Sequence, residues 1–234
     1  MTQRSSTFLP WLITGLCVLA MCALGYWQLE RMVYKQQRLA SIAQKSANES
    51  LSLNEALSQQ DPRDVAVVFE GVPNALNMLM LDNQIHNGQV GFDILAPVKT
   101  NLGWILVNYG WVKAPNLSRS LPSVELDSGF QRFTGVITRP EKNPLVQETN
   151  TAQFSYPALI QEINVEMLSK QFGHGLSTYV IQLTTEDPAF IREYQPVVMP
   201  PEKHLGYAVQ WFGLAIAAAA IGGFAISKKG RSNA

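Results

Sequence analysis

The residues in this 234-residue chain that could do chemistry reduce to three histidines, because no other reactive type falls in a recognisable spacing. There is no H-E-x-x-H metal motif, G-x-S-x-G nucleophile elbow, phosphate loop or C-x-x-C-H haem-attachment sequence. Carboxylates are plentiful but unpaired in any such spacing. Cys17 and Cys22 are five positions apart in one apolar run. Neighbours on a helix face are three or four apart, so the two cysteines read as small lipid- or helix-facing residues. His86 lies beside the turn signal Asn87-Gly88, and His174 lies between Gly173 and Gly175, so both read as solvated loop residues. His204 differs. It stands at the mouth of a second apolar run, with Tyr207 and Trp211 three and seven positions on along the same helix face. An imidazole at a membrane edge above two aromatic rings can act as an axial ligand to haem iron, the rings and lipid sheltering the macrocycle. The same residues also fit a polar interface position within an aromatic belt, and position alone favours neither reading.

Two apolar segments must hold that histidine. Residues 8–29 and 205–227 contain no charged side chain. As helices of about 1.5 Å rise per residue, each is roughly 33–35 Å long, enough to cross a hydrocarbon core of about 30 Å. The formal net charge of zero is a cancellation between regions. All 18 acidic residues and 14 of the 18 basic ones lie in residues 30–204, for a net of −4. Arg4, Lys228, Lys229 and Arg231 sit just outside the apolar runs. Positive flanks stay cytoplasmic. The reading is therefore a multi-pass inner-membrane protein of a bacterium, with both termini cytoplasmic and a large periplasmic domain. A cleaved signal peptide is the competing reading of the first run. That run exceeds the usual h-region and ends in the interface-like pair Tyr26-Trp27, which favours a retained anchor. Seven residues before the first run leave little room for a transit peptide. The lipid bilayer is thus one expected partner. Lacking a basic excess, the chain is not expected to bind nucleic acid, and two cysteines cannot build a disulfide scaffold or a four-cysteine zinc site.

The expected fold class is a membrane protein with two transmembrane α-helices flanking an α+β, mainly antiparallel β, extracytoplasmic domain. Its parts are a cytoplasmic N-terminus at 1–7, transmembrane helix 1 at 8–29, the periplasmic domain at 30–203, transmembrane helix 2 at 204–227 and a basic tail at 228–234. Within the domain, residues 30–60 read as helical and Asp61-Pro62 ends that stretch. Residues 65–140 read mainly as strands, including a hairpin across residues 100–103 with Gly103 at its special position. Residues 161–172 read as a helix stopped by Gly173, and 178–183 as a late strand. Residues 195–203, with Pro196, Pro200 and Pro201, read as a stiff linker. Small residues four apart on the second run (Gly213 and Ala217, Ala218 and Gly222, Ala219 and Gly223) suit close helix packing.

Three segments together resemble the surfeit-locus, or Shy-type, family of cytochrome c oxidase assembly factors. Residues 24–31, LGYWQLER, are similar to the family's LGxWQxxR. Residues 105–112, ILVNYGWV, are similar to its LVNRGWV strand, and residues 204–212, HLGYAVQWF, to its HxxYAxQWF opening of the second span. The matches occur in family order across nearly the whole chain. At Tyr109 the family usually has Arg, so a charge-based role there does not carry over. The resemblance implies an accessory protein rather than an enzyme, one that binds haem A and assists its insertion into the catalytic subunit of a haem-copper oxidase. His204 matches the family's proposed haem ligand. Trp27, Gln28, Tyr207, Gln210 and Trp211 would line or support the site. Oxidase subunits are the implied partners, with haem A synthase a further candidate. Two other classes stand beside this reading. One is a membrane scaffold that stabilises oxidase subunits without touching haem. The other is a membrane-tethered enzyme or sensor, which the missing catalytic constellation and the short tails count against.

Overall fold

The computed structural model describes residues 8–46, 49–115, 120–140, 154–197 and 199–232, so the expected cytoplasmic N-terminus with Arg4 lies outside the described residues, as do the side chains of Lys229 and Arg231. The chain divides into two compact units, Ile42–Pro196 and the two terminal segments Met1–Ser41 with Val197–Ala234.

The terminal unit consists of helix α1 (Phe8–Ser46) and helix α4 (Pro201–Ser232). Both are long and apolar enough to cross a membrane, and among the described residues they are the only two. The protein is two-span, not multi-pass in any larger sense. Their large apolar side chains point outward: Phe8 is 71% exposed, Ile216 72% and Phe224 72%. A core helix of a soluble protein hides such groups, whereas lipid is the solvent in which exposing them costs nothing. At 39 residues α1 is about 58 Å long and runs well past its apolar stretch. Pro201 opens α4, a first-turn position where the missing N–H has no helical partner anyway. The linker expected over 195–203 therefore ends at Pro200.

Among the described residues the other unit is built on eight strands. In chain order they are β1 (Leu51–Ser52), β2 (Ala66–Pro73), β3 (Leu79–His86), β4 (Gln89–Thr100), β5 (Gly103–Lys113), β6 (Gln131–Thr138), β7 (Ala158–Ile160) and β8 (Leu176–Leu183). Helix α2 (Leu53–Leu57) follows β1, and α3 (Val165–Phe172) precedes β8. Strands β2, β6, β8, β5 and β4 pair in succession, and β2 returns to β4 through Val72 with Lys99 and Pro73 with Val98. That last pairing closes a five-stranded barrel. β3 and β7 extend the sheet beyond β4, and most pairings are antiparallel.

Period-2 alternation explains how one sheet serves two cores. Ile94, Ala96 and Val98 of β4 and Ile105 and Val107 of β5 join Val67, Phe69, Phe133 and Ile181 in one cluster. The intervening Leu95 and Leu106 join Val180, Ala158 and Ile160 in another, against Leu168 of α3. Asn87 and Gly88 both take positive φ in the β3–β4 turn, as the sequence pattern requires. The helix expected from residue 161 begins at Val165, because Asn164 accepts the Met167 amide as its cap, and Gly173 ends it in the left-handed conformation.

Candidate functional site

Burial along α1 and α4 follows the helical repeat. On α4 the covered positions step through His204, Ala208, Ala215 and Ile226. On α1, Gly25 is buried, with Thr14, Val18 and Gln28 partly covered on the same stripe. The helices run antiparallel and meet where side chains are smallest. A Cβ added at Gly25 would lie 2.8 Å from the Phe212 ring, and one at Gly222 would lie 2.5 Å from the Thr14 methyl. Gly222 thus sits in a contact, while Gly213, Ala217 and Ala219 are exposed.

This seam brings together two residues 176 positions apart. The Nδ1 atom of His204 lies 2.8 Å from Oε1 of Gln28. An amide oxygen only accepts, so Nδ1 is the donor to it, and in the tautomer this selects the lone pair lies on Nε2. That Nε2 is shielded and has no hydrogen-bond partner among the described residues. An unpaired polar atom in an apolar seam costs free energy unless something binds it. The arrangement is that of an imidazole oriented from behind by a second side chain with its other ring nitrogen unpartnered, the way metal-binding histidines are commonly held. Because Nε2 is covered, a ligand reaches it only after the ring or a neighbouring side chain rotates.

The other residues singled out from the sequence lie around this pair in different ways. Trp211 is partly covered on the seam side of α4. Tyr207, 43% exposed, and Gln210 lie outside the seam, because the covered stripe steps from His204 by four to Ala208 and not by three. Trp27 is also exposed, with the Arg31 guanidinium 5.4 Å over its ring. The two remaining histidines are not solvated loop groups. His86 closes β3, lies 5.4 Å from the Trp111 ring and is 3.7 Å from a Glu193 carboxylate oxygen. His174 stacks on Trp104 at 4.1 Å, and burial pushes its pKa down. Turn signals next to both had suggested exposure, but two tryptophans of β5, Trp111 and Trp104, lie against them.

Residues 15–216 match the model of the SURF1 family. The chain belongs to the SURF1 family. Two SURF1-like proteins illustrate the relationship. One, from Rickettsia conorii (strain ATCC VR-613 / Malish 7), is 24% identical over 200 residues, covering 83% of this chain and 81% of the relative. The other, from Rickettsia felis (strain ATCC VR-1525 / URRWXCal2), is 24% identical over 206 residues, covering 83% and 86%. Membership of the SURF1 family assigns the chain to cytochrome oxidase assembly. The family match reaches into both helices of the seam and includes Gln28 and His204.

Proposed function

We propose that this SURF1-family protein binds haem A and assists its insertion into the catalytic subunit of a haem-copper terminal oxidase. The observation that carries the reading is the unpartnered, shielded Nε2 of His204, set in its ligating tautomer by Gln28. The residues present suit a haem: one imidazole nitrogen in an apolar seam, and no cysteine sulfur needed for covalent attachment. Haem, when bound, would supply an iron whose ligands exchange reversibly, and His204 would be the residue that holds it. Gln28 holds the imidazole, the helix pair keeps water from the donor atom, and rotation of the covering side chains governs both capture and release. Attachment through one nitrogen permits transfer without breaking a covalent bond. The charge asymmetry of the chain supports both termini in the cytoplasm and the barrel in the periplasm of a bacterium, beside the oxidase subunits and haem A synthase.

The test is spectroscopic. Full-length protein purified in detergent from cells that make haem A is expected to carry a haem absorption band, and His204→Ala is expected to lose most of it. An unchanged band in His204→Ala removes the ligand assignment. Wild-type protein that co-purifies with oxidase subunits but carries no haem supports a scaffold instead.

A further inference from the structure

The barrel offers a second site, independent of the haem reading. Between Ile94 and Leu95 the β4–β5 ladder slips by one residue: Ile94 pairs with Gly110 and Leu95 with Asn108, so Tyr109 is left over as a β-bulge. A bulge frees a backbone carbonyl and re-aims a side chain. Both consequences are visible. Arg192 takes the freed Tyr109 carbonyl through Nε at 2.7 Å, and also bonds the Thr185 carbonyl and the Asp187 carboxylate. The loop carrying Arg192 is held against β5 by the paired backbone bonds of Trp111 and Ile191.

The Tyr109 side chain lines a cavity of about 300 Å³ at that mouth of the barrel. The residue is 5% exposed, yet its hydroxyl has no hydrogen-bond partner among the described residues. Burial pushes the hydroxyl pKa up, while the charges of Arg192 and Asp127 act on it in opposite directions. The hydroxyl oxygen is itself shielded, so a donor from outside reaches it only once a covering side chain moves. Phe133 meets the ring edge-on at 6.3 Å and Phe190 lies 6.2 Å away, which gives the cavity aromatic walls. Glu125, Asp127 and Glu186 stand exposed at its edge. Asp187 is already neutralised by Arg192, leaving these three carboxylates against Arg132. The mouth is thus acidic at its rim, aromatic within, and holds an unsatisfied hydroxyl. Among the described residues no group of three or more His, Cys, Asp and Glu is disposed to hold a metal ion, so an organic cation suits it better.

We propose that this mouth receives a single arginine or lysine side chain of a partner polypeptide, with its cation at the carboxylate rim, its methylene stem against Phe133 and Phe190, and one N–H donated to the Tyr109 hydroxyl. Each part of the cavity meets one part of such a side chain. Cations favour aromatic faces as well as carboxylates, and long basic side chains bury their stems while the head stays polar.

The experiment uses full-length protein in detergent at low ionic strength and a fluorescein-labelled Gly-Gly-Arg-Gly-Gly peptide, read by anisotropy. Saturable binding is expected, at least about tenfold weaker for the uncharged citrulline analogue, as expected when a charged hydrogen bond is lost. Tyr109→Phe, which removes only the hydroxyl, is expected to weaken binding several-fold. Glu125→Gln with Asp127→Asn and Glu186→Gln is expected to abolish both binding and its salt dependence. His204→Ala is expected to leave binding unchanged, so the haem reading and this one fail separately. Near-UV circular dichroism checks each variant's fold, and the carboxamide variant decides the matter if Tyr109→Phe unfolds. No saturable binding, equal binding of the citrulline peptide, or full binding by both variants overturns the proposal. Tighter binding of free spermidine than of the arginine peptide also overturns it, in favour of a polyamine site.

Discussion

Replacing Gln28 by Leu isolates the contribution of the residue behind His204. The side chains are similar in size, so the helix seam keeps its packing, but the 2.8 Å contact to Nδ1 is lost. Two effects follow from the geometry. The Nδ1 proton becomes a second unpaired polar group on a ring whose Nε2 is already unpartnered, at a cost of about 1–3 kcal/mol to the ligand-free protein. The ring also loses the acceptor that selects its tautomer and orientation. Removing such supporting partners of metal ligands lowers affinity about 10–100-fold, or about 1.4–2.7 kcal/mol. The assay is titration of detergent-solubilised protein with haem, following the absorption band and, separately, the rate of haem loss to a large excess of apomyoglobin. Faster loss with normal maximal absorption is the expected pattern, since His204 remains. Affinity within twofold of wild type would refute the claim that Gln28 orients the ligand.

Three further outcomes test the barrel. A Cβ at Gly91 would lie 2.2 Å from the Val112 carbonyl oxygen, so Gly91→Ala must push β4 and β5 apart; a loss of about 1–3 kcal/mol in urea unfolding is expected. Burial pushes the Asp93 carboxyl up despite the amide bond donated by Asn108. The folded state then holds this proton longer than the unfolded chain, whose carboxyl titrates near about 4, and stability falls as pH rises from there. Asp93→Asn is expected to remove that fall and to raise the melting temperature at pH 7. The hydrogen bonds from Arg63 hold Asp61 down at about 2. Its contribution is complete above the unfolded value near about 4 and is lost as pH falls through about 2, so Asp61→Asn should cost under about 1 kcal/mol at pH 7, as a half-exposed pair does, and nothing at the acid end of a melt series.

What could be read from residues alone followed the range of the interactions. The two apolar runs, the Asn87-Gly88 turn, the hairpin ending at Gly103 and the stop at Gly173 are all set by neighbours within a few positions, and each appears in the fold. A barrel-like domain was among the readings of the strand pattern, but the closing pairing of Val72 with Lys99 was not legible, because no local pattern encodes that register. β7 was invisible for a related reason: three residues, Ala158–Ile160, form a strand only because β3 lies ready beside them in parallel. Asn164 was a visible cap signal that would have moved the start of α3 to its observed place. In the helix pair, Gln28 was singled out only through the family resemblance, and its pairing with His204 is set by the facing helix, which no local pattern encodes. The offset of Tyr207 from His204 shows the limit of spacing arguments, since positions three and four ahead both lie near a residue and only the facing helix decides between them. The bulge at Tyr109 and the arrival of Arg192 from 83 positions away left no mark in the local sequence.

The central claim is that the Nε2 atom of His204 is the haem donor, and rescue chemistry tests it most directly. His204→Gly opens a space where the imidazole stood, in full-length protein purified from cells that make haem A. The account predicts that this variant loses the haem band and that added imidazole restores it with the spectrum of a histidine-ligated haem. A His204→Gly protein that keeps the wild-type spectrum without imidazole would contradict it.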